Sequence, residues 1–106
     1  MAKDNVNRAE RVQEMGNALI DSREATEQLC EAIAAQVDAI DSLRKLSAYY
    51  GSQDWFKDRE AYEHGKLPDD LDCDVLEEDL PFETLVNARE AALAALEVST
   101  AMLRAL

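Results

Sequence analysis

The sequence predicts an all-α protein: a long N-terminal amphipathic helix forming an antiparallel helical hairpin with the C-terminal helix, the two joined by a short helix and an acidic loop. Three observations lead there. Hydrophobic residues make up 47% of the chain and charged residues 32%, and much of the hydrophobic share is alanine, which favours helix while burying little area. Apolar residues recur at steps of three and four towards both ends of the chain. No proline occurs before position 68, so nothing of that kind interrupts the N-terminal half. At 106 residues the chain is read as one helical domain, with too little volume for an enclosed substrate cavity beside its core.

The first helix is expected over about residues 4–50. A seven-residue register runs from Val12 through Met15, Leu19, Ser22, Thr26, Leu29, Ile33, Gln36, Ile40 and Leu43 to Ser47 and Tyr50. Val37 and Leu46 widen this stripe. Gly16 lowers helix propensity, and Asp21 with Glu24 resembles a capping pair, but the register survives both and a continuous helix is expected. Gly51 supplies a left-handed terminator, and Ser52 is placed to cap a second helix over about 53–64. Trp55, Phe56, Arg59 and Tyr62 give that helix a mixed aromatic face; Gly65 and Leu67-Pro68 stop it, and His64 suits its C-terminal end. A loop over about 65–80 is pinned by Leu67, Leu71, Val75, Leu76 and Leu80 among acids. The last helix, about 81–105, carries Phe82, Leu85, Val86, Leu93, Leu96, Leu103 and Leu106, with Pro81 tolerated in its first turn.

Length carries a further expectation. A first helix of about 45 residues measures roughly 68 Å, whereas a last helix of about 25 reaches only about 37 Å. An antiparallel partner of that length reaches back to about Thr26 and leaves Val12, Met15, Leu19 and Ile20 uncovered, so a homodimer through the N-terminal half of the first helix is expected.

The net charge is −12, and residues 49–81 hold eleven acids against three basic residues. Such a surface repels phosphate backbones and anionic headgroups, which argues against direct nucleic-acid or membrane-surface binding and for a basic protein partner. The longest uninterrupted hydrophobic run, Ala91 to Leu96, is too short for a signal peptide or a membrane span. Cys30 and Cys73 have no CxxC spacing and are read as reduced thiols in a cytoplasmic protein.

Residues 49–71, YYGSQDWFKDREAYEHGKLPDDL, hold five of the six aromatic residues and the only histidine. Tyr50, Trp55, Asp58 and Tyr62 are the candidates for a ligand platform here, set against the plainer role of filling a corner between helices. Asp70, Asp72 and Asp74 match the first three ligand positions of a calcium loop and are weak candidates for a divalent cation. The sixth position is Val75 instead of glycine, and the twelfth is Pro81 instead of glutamate. Two separated cysteines and one histidine make no zinc set, and a helix-end histidine makes no nucleophile pair. No catalytic residue and no cofactor is assigned.

Three ordered blocks resemble a small bacterial family catalogued as domain of unknown function 4298. Its pattern reads Tyr-Tyr-x-Ser-x-x-Trp-x-x-Asp, then Gly-x-Leu-Pro-x-Asp-Leu, then Gly-Val-Leu-Ser-Glu-Asp before a final helix. The matching residues are Tyr49, Tyr50, Ser52, Trp55 and Asp58; Gly65, Leu67, Pro68, Asp70 and Leu71; and Val75, Leu76, Glu78 and Asp79. The third block departs at Asp74 and Glu77, which stand for glycine and serine, and at Pro81, so the last helix is expected to begin near Pro81. The resemblance implies a bacterial, intracellular, helical protein and supplies no activity.

The expected function is a non-enzymatic protein-interaction or scaffold module that meets its partners through helix faces and the acidic corner, with Tyr50, Trp55, Asp58, Tyr62, Asp70, Glu78 and Asp79 as corner candidates. One rival is a ligand-binding protein or enzyme using the same corner, which requires an opening beside Trp55. The other is an acidic inhibitor mimicking nucleic acid, which requires acids spaced like phosphates along a helix.

Overall fold

The protein is described by a computed structural model over residues 2–106. It is all helical: α1 spans Ala2–Tyr49, α2 Gln53–Glu63 and α3 Asp79–Ala105, with one 3₁₀ turn at Asp74–Leu76. Among the described residues there is no strand. The chain divides into two units, one ending at Ile40 and the other running from Asp41 to Leu106.

The first unit consists of α1 residues alone. The helix passes Gly16 and the Asp21–Glu24 pair without a break, as expected where no proline removes a hydrogen bond. A methyl group on Gly16 would meet nothing within 4 Å, so this glycine answers to no close approach. No side chain of α1 is buried; Ile33, Val37 and Ile40 are exposed like the residues before them.

The second unit holds the core, and its turns follow from local chemistry. Gly51, at φ +77°, takes the left-handed conformation that a side chain resists, and the Ser52 amide bonds back to the Tyr49 carbonyl at 2.9 Å. Ser52 itself is extended, and its hydroxyl accepts the Trp55 amide at 3.2 Å, capping α2. At the other end of α2, Gly65 has φ +66°; its amide bonds to Tyr62 O and the Lys66 amide to Ala61 O, which together form a Schellman stop.

The segment expected as loop is partly ordered into the 3₁₀ turn. The amides of Leu76 and Glu77 bond to the carbonyls of Cys73 and Asp74, and Leu76 is left 5% exposed. α3 then starts at Asp79, two residues before the position expected from Pro81. The first four amides of a helix have no partner inside it, so a proline third in line costs no hydrogen bond. Pro81 is buried there, while Leu93, Leu96 and Leu103 further along α3 are exposed. Of the apolar stripes at the heart of the hairpin expectation, Leu29, Leu43 and Leu46 on α1 and Leu85 on α3 are half-buried, and the other large aliphatic residues are solvent-exposed. The aromatic side chains of this sequence are concentrated in and around the corner, and the two long helices carry many alanines between their aliphatic residues.

Candidate functional site

Trp55 is the centre of the corner, 3% exposed. Its indole Nε1–H donates to the Val75 carbonyl at 2.9 Å, tying α2 to the 3₁₀ turn twenty residues on. Tyr50 and Phe56 meet it edge-on, each with ring centroids 5.0 Å away. The Arg59 guanidinium, one helical turn along α2, sits 5.3 Å from the ring centroid. Arg59 also pairs with Glu63 at 3.5 Å and Glu78 at 3.8 Å. The Tyr50 hydroxyl donates to the Glu78 carbonyl at 3.3 Å. Neighbours from the end of α1, from α2 and from the 3₁₀ turn thus enclose the indole, which offers no open face on which a ligand could stack.

Asp58 is also engaged. The Tyr49 hydroxyl donates to its Oδ2 at 2.6 Å. Burial, then the hydrogen bond to Asp58 and the charges of Asp58 and Asp54, push the Tyr49 phenol up to about 12. A phenol held so firmly neutral is a donor to the carboxylate and makes no base at ordinary pH.

Tyr62 stands apart from this cluster, 49% exposed. It borders a shallow open depression of about 370 Å³ along with Leu67, Pro68, Cys73 and three acids, Asp69, Asp74 and Glu77. Asp70, Asp72 and Asp74 do not converge: Asp72 Oδ1 accepts the Asp74 amide at 3.0 Å, a local turn bond. Among the described residues no three His, Cys, Asp or Glu side chains are grouped to hold a metal ion. Asp79 opens α3, where a carboxylate suits the positive end of the helix dipole. Cys30 is an exposed free thiol, and Cys73 a half-buried one.

The acids of the corner lie mostly in the turns between α2 and α3 and form no row along one helix. Of the seam candidates on α1, Val12 is 65% exposed, Met15 55% and Leu19 61%. Ile20 is exposed too, but one residue past Leu19 it points about 100° around the helix and lies off the seam.

Two corner residues outside the expected set prove central, Tyr49 and Arg59. Arg59 follows Trp55 by four residues on one helix, a spacing that does announce the stacked pair. The Tyr49–Asp58 bond joins the last turn of one helix to the middle of the next and has no such local signal.

Residues 12–98 match the model of a family described as Domain of unknown function (DUF4298). No curated protein and no solved structure matches the chain.

Proposed function

From the premise that the chain belongs to the DUF4298 family, whose description carries no activity, we propose that it is a non-enzymatic protein-interaction module that self-associates through the N-terminal half of α1. The observation that carries this reading is the exposure of Val12, Met15, Leu19, Ile33 and Ile40 on one heptad register, with Ser22, Thr26, Leu29 and Gln36 at the positions between. Aliphatic side chains repeating at that period gain from burial against a second helix and gain nothing in water.

The corner serves this role as a joint. Tyr49, Tyr50, Trp55, Phe56 and Arg59 are spent on one another, on acids of the corner and on backbone carbonyls, so their chemistry goes into rigidity. The acids on its outer surface favour a basic protein as a further partner, and the charge opposes nucleic acid and anionic membranes. Among the described residues no helix is long and apolar enough to cross a membrane, and the proposed setting is the cytoplasm, where free Cys30 and Cys73 remain reduced.

Thermal melting of the helical circular-dichroism signal tests the association. Self-association makes the melting temperature rise with protein concentration, and Leu19→Asp removes that rise. A melting temperature independent of concentration over a hundredfold range contradicts the reading.

A further inference from the structure

From Val12 to Ile40 the charged residues of α1 avoid three of the seven register positions altogether. With Val12, Leu19, Thr26, Ile33 and Ile40 as the first position, the fourth holds Met15, Ser22, Leu29 and Gln36. The seventh holds Ala18, Ala25, Ala32 and Ala39, an alanine in every heptad. These three positions are neighbours around the helix and make one continuous face. Glu14, Asp21, Arg23, Glu24, Glu27, Glu31 and Asp38 all fall on the other four positions.

The orientation of a partner decides what the alanine edge meets. In a parallel pair the seventh position of one helix faces the fifth of the other, which here holds Gly16, Arg23, Cys30 and Val37. In an antiparallel pair the alanine edge meets its own copy, and small side chains facing each other let two helices approach closely. Resting on the self-association proposed above, we infer that the second copy lies antiparallel along this face, with residue i opposite residue 55 − i.

That register sets Met15 against Ile40 of the second copy, Ser22 against Ile33, and Thr26 against Leu29. Small faces large in the two inner layers, as close packing requires. Allowing for the offset of about 3 Å between edge positions, Ala18 falls beside Ala39 of the second copy and Ala25 beside Ala32. The fifth positions pair Gly16 with Val37 and Arg23 with Cys30, so no like charges meet across the seam. The arrangement also keeps the two acidic 49–81 segments from sharing one end of the seam, where their charges would repel. The area reaches that of a specific dimer at the upper end of its range. Val12, Met15, Leu19, Ile33, Val37 and Ile40 are each about half exposed or more. At roughly 60–120 Å² per side chain, two copies bury on the order of 700–1,400 Å², a range that spans the ~1,200 Å² at which stable interfaces begin.

Disulfide trapping in a Cys30→Ser, Cys73→Ser background tests the orientation, using two differently tagged chains carrying Ser22→Cys and Ile33→Cys. The inference expects efficient cross-linking when the two are mixed and little when Ser22→Cys is oxidised alone, because its two copies then lie about 16 Å apart along the axis. Efficient self-cross-linking of Ser22→Cys means a parallel pair and overturns the orientation while leaving self-association intact. A dimer by sedimentation with neither cross-link overturns the face, and a monomer overturns the self-association as well. In the same Cys30→Ser, Cys73→Ser background, spin labels on outward-facing Glu10→Cys provide a readout with Ser22 and Ile33 in place. About 50 Å between labels supports the antiparallel register, and a separation below roughly 25 Å contradicts it.

Discussion

Tyr49 carries a titration in the corner that bears on stability. Its phenol is the donor to Asp58 and is held neutral up to about pH 12, whereas in an unfolded chain it ionises near pH 10. Between those values the unfolded chain has already lost a proton that the folded chain keeps, so stability falls as pH rises. The contribution is fully present below pH 10 and is lost through about pH 12. Tyr49→Phe removes both the bond and this slope. Urea unfolding of the two proteins at a series of pH values from 9 to 12 is expected to show a steeper decline in the wild type; parallel declines contradict the assignment.

At the scale of elements, the corner depends on Trp55 joining α2 to the 3₁₀ turn through the Val75 carbonyl. Trp55→Ala removes the largest buried side chain and leaves that carbonyl without its donor, and truncations of this kind cost about 3–5 kcal/mol. The expected result is loss of order in residues 41–106 with α1 up to Ile40 much less affected, read by amide hydrogen exchange along the chain. Uniform protection throughout would show that the indole is not what holds the corner. The ends of α2 were legible in the sequence because Gly51, Ser52 and Gly65 act on the backbone within a few residues of themselves. The continuity of α1 was legible for a similar reason, since periodicity is a local property. The start of α3 was less so, because a proline fits the first and the third helical positions equally well. The 3₁₀ turn and the bonds from Trp55 to Val75 and from Tyr50 to Glu78 were not legible. They join residues 20 and 28 apart in sequence through a segment with no period of its own.

For the molecule as a whole, two kinds of surface follow from how side-chain bulk and charge are distributed along the chain. Aromatic residues and acids gather in the corner, where Tyr50 and Phe56 pack edge-on against the buried Trp55 and the acids remain in water. From Val12 to Ile40 the acids of α1 are held off one face, whose aliphatic residues have nothing to cover them within their own unit. On the function proposed above, this face is one half of an interface whose other half is a second helix of the same pattern. Sedimentation equilibrium on the full chain tests this most directly. A mass of twice 11.8 kDa that falls to the single-chain value in Leu19→Asp is the predicted result. A single-chain mass for the wild type at every concentration up to the millimolar range would contradict it.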